Sequence, residues 1–326
     1  MPALRAVDRL EILILVDNVT DMLSTVKPSS ESELSSFFRR GMRLIGGHCL
    51  CCAAHGFACL VTAWRNGKGH RVLFDTGPEP HVLLRNVERL DVDLATIEAI
   101  VLSHGHFDHM GGLVETLDAI RACNGGVDIP VYVHPGMFRT RAQQMPDGTM
   151  LVIEDVPDPA TMRAHGAEVI ETAREVALLD DMFHVSGEIA RVTPFERGLP
   201  GHFARAGAGD AWEPDPLLLD ERYLAIDVAG KGLVVLSACS HAGIVNVLTD
   251  VRATFPQAPI HAVAGGFHLS GANEAIIPQT VEAMAAFDIP VIAAAHCTGW
   301  RATTALAMRF GESVLDPCAV GKTYRF

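Results

Sequence analysis

Residues 103–112 read S-H-G-H-F-D-H-M-G-G and place His104, His106, Asp108 and His109 within six positions. The run Ala99-Ile100-Val101-Leu102 before it is short and wholly apolar, which predicts a buried strand. After it, apolar residues at 113, 114, 117 and 120 fall on one face of a helix. Three imidazoles and a carboxylate therefore sit where a strand hands over to a helix. Spacings of two, two and one do not share a helical face, so the H-E-x-x-H arrangement of helical zinc sites does not apply. In a turn, successive side chains diverge. His104 and His106 can then share one ion, and Asp108 with His109 a second, which is the layout of a two-metal hydrolytic site.

The chain supports one large domain. Of its 326 residues 49% are apolar and 20% charged, enough to bury a substantial core. A net charge of −13 argues against an extended nucleic-acid surface. Leu10–Val16 is too short to span a membrane and is followed by Asp17, so it reads as a strand, without a signal peptide. Eight cysteines show no regular disulfide spacing, which points to free thiols in a reducing cytoplasm. In H-C-L-C-C-A-A-H-G, residues 48–56, no pair of C-x-x-C knuckles occurs, and its cysteines read as small buried hydrophobes. Ser30 and Glu33 have capping-box spacing for a helix over 29–40. Asn66-Gly67 predicts a hairpin turn. Residues 195–220, rich in Gly, Pro and acidic residues, read as a lid or substrate loop, with Glu196, Arg197, His202 and Trp212 as candidate contacts.

Further histidines recur at predicted strand ends. Leu233–Leu236 leads to Ser237-Ala238-Cys239-Ser240-His241. Ile260–Ala264 leads to Gly265-Gly266-Phe267-His268, and Ile289–Ala294 to Ala295-His296-Cys297-Thr298-Gly299. Unrelated core histidines would not recur in this way, so His241 and His296 join the candidate ligand set.

The H-x-H-x-D-H string resembles the signature of the metallo-β-lactamase-fold superfamily. F-D-T-G at 74–77, C-S-H-A-G-I-V-N from 239, G-G-F-H-L from 265 and H-C-T-G from 296 resemble its dihydropterin-ribofuranosylaminobenzene phosphate synthase-like branch. The resemblance runs from about residue 10 to the C-terminus. It implies a four-layer αββα sandwich of α/β (α+β) class, with one or two zinc-like ions at the edge between its halves. It makes Asp75 a support for the metal loop and His296 the final histidine ligand. It also puts Cys239 where members usually carry a bridging aspartate, which leaves the metal count open.

Imidazoles with one carboxylate suit zinc, and manganese or iron also occupy such sites. The reading is a metal-dependent hydrolase of a small, anionic phosphate ester or phosphodiester. Its ligands are His104, His106, Asp108, His109, His241 and His296, with Asp108 also orienting the nucleophile. His268 would hold a substrate anion, protonate the leaving group, or merely support a ligand. A pterin-linked synthase and a low-turnover metal or ligand sensor stay open beside it.

Overall fold

The computed structural model describes residues 4–207 and 209–326. Alternation along the strands builds its layers. In Arg9–Val16, Leu10, Ile12 and Ile14 face a core between two sheets, while Leu15 faces the opposite side. Ala58–Arg65 repeats this, with Cys59, Val61 and Ala63 inward and Ala58 and Leu60 outward. Both faces are apolar because both are covered, as in sheets flanked by helices.

The first sheet has eight strands in the order Ser30–Glu31, Thr323–Arg325, Arg9–Val16, Ala58–Arg65, Lys68–Phe74, Ala99–Val101, Ile129–Val133 and Ala167–Glu171. Helices Pro80–Arg89 and Leu113–Cys123 cover its outer face through Val82, Leu83, Val87, Leu113, Leu117 and Ile120. The second sheet has six, in the order Val176–Leu178, Phe183–Val185, Leu224–Val228, Gly232–Leu236, Ile260–Gly265 and Val291–Ala294. Helices Ile244–Thr254, Ile277–Met284 and Trp300–Phe310 close the far side. The result is the expected αββα sandwich. Each Leu, Ile or Val fully buried between the sheets contributes about 1.5–3 kcal/mol.

Strand direction brings the site together. Lys68–Phe74, Ala99–Val101 and Ile129–Val133 run parallel in one sheet; Gly232–Leu236, Ile260–Gly265 and Val291–Ala294 run parallel in the other. Their C-terminal ends discharge at one edge, where loops carrying function concentrate.

Several local expectations shift. The helix near residue 30 is Glu33–Arg39, and its cap is Ser32, whose hydroxyl accepts from Ser35 N, in place of Ser30. Asn66 and Gly67 both have positive φ, as a two-residue hairpin turn requires. Ala167–Glu171 and Val176–Leu178 are close in sequence yet belong to different sheets. Residues 195–220 contain two short paired strands. His202–Arg205 joins Thr140–Gln144 and Glu213–Pro214 in a four-stranded sheet with Met150–Val152. Within this stretch Glu196 is buried and accepts from Val245 N and Asn246 N, capping the helix Ile244–Thr254. It is a cap, not a free substrate contact. Arg197 Nε donates to Pro194 O, and Arg205 stacks on Trp212 at 4.4 Å.

His184 is buried against Tyr223 and Phe255, and both its ring nitrogens lack hydrogen-bond partners. Burial depresses its pKa from 6.5 to about 4. A histidine held neutral in the fold contributes stability that is present above pH 6.5 and is lost as pH falls toward 4. His184→Leu is expected to flatten the loss of stability between those pH values by roughly 2–3 kcal/mol. Unfolding midpoints in denaturant at pH 7 and 4.5 test this, and an unchanged pH slope would refute it.

Candidate metal centre

Asp75 ends the strand Lys68–Phe74 in the left-handed region, φ 61°, a conformation Asp tolerates better than most residues. Its buried carboxylate accepts from Ser103 N and Ser103 Oγ, each at 2.7 Å, and lies 2.7 Å from His109 Nδ1. One side chain thus fixes the start of the loop and the aim of the ring that ends the S-H-G-H-F-D-H motif.

These contacts assign tautomers. Ser103 has one hydroxyl proton, which goes to the Asp75 carboxylate, an acceptor only. The 2.9 Å contact of Ser103 Oγ with His104 Nδ1 is therefore a donation from the ring, leaving a lone pair on His104 Nε2. His202 Nδ1 donates to the Asp215 carbonyl at 2.8 Å, so His202 Nε2 accepts from His106 Nε2 at 3.1 Å. His106 Nδ1 then carries a lone pair, 3.0 Å from that of His104 Nε2. His241 Nε2 lies 3.2 Å from His104 Nε2. Burial, then repulsion among neighbouring rings, holds the pKa values of His104, His106 and His241 well below the ordinary range. Buried lone pairs that face one another repel, and a cation between them converts that repulsion into coordination.

A second group adjoins the first. Asp108, in the single turn Phe107–Met110, has Oδ2 3.5 Å from His109 Nε2 and 3.7 Å from His296 Nε2. Neither ring nitrogen has a hydrogen-bond partner, although both rings are buried. Burial opposes a charged His109, but Asp108 and then Asp75 prevail and hold its pKa well above normal. Burial likewise opposes ionisation of Asp108, yet His109, His296 and His55 hold it at about 2. This position favours a positive charge.

The ligand atoms of His104, His106 and His241 lie within 4.8 Å of one another, as do those of Asp108, His109 and His296. Each set could hold an ion, and the orphaned nitrogens and opposed lone pairs fit one. The structure therefore brings all six sequence-derived candidates together, in the pairing expected from the motif. His268 lies beside them: its ring is 4.2 Å from that of His241, and Nδ1 is 3.3 Å from Cys239 Sγ. His55 stands at the mouth, mostly exposed, with Nε2 3.7 Å from Asp108 Oδ2. His134 is turned inward, its Nδ1 accepting from Gly136 N.

Four residues support these ligands, and of them the sequence singled out only His202. Asp17 Oδ1 accepts from His296 N at 2.8 Å. Glu221 accepts from His241 N and Ala242 N, both at 2.6 Å. Asp220 accepts from Gly105 N and from Arg141 Nη2, the latter at 2.6 Å in a fully buried ion pair. His202 orients His106. Asp17 was legible as a polar residue ending a strand; the others come from segments with no motif.

Asp75→Asn should keep the left-handed backbone while placing an amide donor against Ser103 or His109. We expect a loss of about 1–3 kcal/mol in stability and roughly 10–100-fold weaker metal binding. Thermal unfolding and metal titration measure both, and wild-type values in both would refute the role.

Residues 56–193 match the family model of the metallo-beta-lactamase superfamily. The chain has the metallo-β-lactamase fold. It is 29% identical over 274 residues, 83% of this chain and 90% of the relative, to 7,8-dihydropterin-6-methyl-4-(β-D-ribofuranosyl)-aminobenzene-5'-phosphate synthase of Methanocaldococcus jannaschii. A crystal structure described as a metal-dependent hydrolase of the β-lactamase superfamily superposes with a TM-score of 0.70 at 22% identity, covering 97% of this chain and 98% of that one. The metallo-β-lactamase fold protein YhfI of Bacillus subtilis gives 0.53 at 11% identity, over 98% and 100%. At those identities the two structures speak for the superfamily fold alone. Among the described residues, no helix is long and apolar enough to cross a membrane.

Proposed function

We propose that the protein is a metal-dependent hydrolase of a small anionic molecule, most simply a phosphate ester or phosphodiester. The observation carrying this reading is the convergence of two buried donor sets, His104/His106/His241 and Asp108/His109/His296, on one edge of the sandwich. Zinc, or manganese or iron, bound there would lower the pKa of water and polarise the electrophilic oxygen of the substrate. The chain's own residues do the rest. His104 and His109 are aimed by Ser103 and Asp75, and His106 by His202. Asp108 adds the only carboxylate among the six, compensating positive charge and accepting a hydrogen bond from the attacking nucleophile. Arg197, Ser240, His241, His268 and Asn273 line a small recess beside the centre, together with Glu196. His268 would meet a substrate anion and protonate a leaving group.

Elemental analysis of protein purified without chelator or polyhistidine tag, followed by a panel of phosphomonoesters and phosphodiesters, tests the reading. About two metal equivalents, with turnover lost on chelation and restored by zinc or manganese, are expected. Failure to take up zinc, manganese or iron would overturn it. The name of the Methanocaldococcus relative favours one second reading, a pterin-linked synthase. That enzyme would need two substrates and release a phosphate-containing product only when both are present.

A further inference from the structure

Two strand ends deliver a pair of thiols that the proposed hydrolysis does not use. Cys239 follows Gly232–Leu236 and Cys297 follows Val291–Ala294. Both are buried, and their sulfurs are 3.2 Å apart. That is roughly 1 Å longer than a disulfide bond. The approach is built into the fold. Gly266 passes the pair without a side chain, and a Cβ there would fall 2.3 Å from Cys297 Sγ. His268 N–H donates to Cys297 Sγ at 3.3 Å, and His268 Nδ1 is 3.3 Å from Cys239 Sγ. The backbone beside both sulfurs is in the left-handed region without glycine, at Ser240 (φ 53°) and His268 (φ 41°). Strain of that kind is retained where the surroundings over-determine a functional geometry.

We propose that Cys239 and Cys297 form a reversible dithiol–disulfide couple, oxidised by a peroxide, at the margin of the metal centre. One sulfur attacks the peroxide O–O bond, becomes a sulfenic acid and releases the other oxygen as water or an alcohol. The second sulfur attacks the sulfenic sulfur, forms the S–S bond and expels water. Two thiols lose two electrons and two protons, and one peroxide is reduced. Reduction by an external thiol reverses the step. Cys239 Sγ also lies within 4.8 Å of the facing ring nitrogens of His104 and His109. Resting on the proposed function, the couple therefore links redox state to metal retention, because a disulfide sulfur is a far poorer ligand than a thiolate.

The test treats the full-length protein with hydrogen peroxide, alkylates remaining thiols, digests without reductant and maps peptides by mass spectrometry. The expected product is a linked pair of peptides containing Cys239 and Cys297, 2 Da lighter than the sum of the thiols, in most chains. A phosphine reductant should abolish it. Exposed Cys123 serves as the control for unspecific oxidation. Alkylation of both Cys239 and Cys297 after peroxide, or sulfinic acid at either without the linked pair, would overturn the couple. Metal analysis of reduced and oxidised protein separates the two proposals. A reduced protein that takes up no metal defeats the hydrolase reading while the linked peptide still decides this one. Equal metal in both forms defeats the link between them.

Discussion

Asp108→Ala is expected to lower turnover on the best substrate of a phosphoester panel by about 10²–10³-fold, the equivalent of several kcal/mol of lost transition-state stabilisation. It should also drop bound metal from about two equivalents toward one. The reason is local. Among the described residues Asp108 is the one carboxylate facing the unpartnered nitrogens of His109 and His296, and without it that set keeps two neutral ligands. The other set, His104, His106 and His241, does not touch Asp108 and should keep its ion. Folding should tolerate the change, since a buried charge is removed and the Asp108 carbonyl still accepts from Phe57 N. Elemental analysis and steady-state kinetics on the same preparation provide the measurement. Full metal occupancy with wild-type turnover would remove Asp108 from the mechanism.

Gly111→Ala is expected to destabilise the protein by about 3 kcal/mol or more, an effect of steric rather than chemical origin. A Cβ at Gly111 would lie 2.0 Å from the Pro78 carbonyl oxygen, 2.6 Å from its carbon and 2.9 Å from Phe107 O. All three are backbone atoms, so no side-chain rotation relieves the clash. The metal loop is laid directly on the Asp75-Thr76-Gly77-Pro78 turn, where Thr76 N donates to His109 O and Gly112 N donates to Gly77 O. Pushing the two apart also moves His109 away from Asp75, so metal affinity should fall with stability. Gly47→Ala, whose Cβ would meet nothing within 4 Å, is the matched control and should stay within about 0.5 kcal/mol. Denaturant unfolding distinguishes them, and equal midpoints for the two variants would refute the packing argument.

The site was legible to different depths. His104, His106, Asp108 and His109 are visible because a local motif concentrates them, and the apolar run before it announces a strand end. His241 and His296 are visible because each follows a predicted strand. Within residues 195–220 composition reports polarity and turn content, not pairing. The strand His202–Arg205 finds its partner in Thr140–Gln144, some sixty residues earlier. Glu196, read as a loop carboxylate, caps a helix that begins at Ile244. In that helix Ile244, Val245, Val247, Leu248 and Val251 form an apolar face.

By itself the sequence determined the alternation that builds two double-faced sheets, the strand-to-helix turn that bears the motif, and the types of donor atom available. These are encoded within a few residues, by period and by side-chain chemistry. The tertiary structure alone decided which nitrogens meet. His104 and His241 are 137 residues apart in the chain, yet their Nε2 atoms are 3.2 Å apart, because parallel strands of two sheets end at one edge. It decided the tautomers too, since Ser103, Asp75 and the Asp215 carbonyl are bonded across the fold. It also set Cys239 against Cys297. Such contacts depend on the packing of whole layers, and no local pattern carries them.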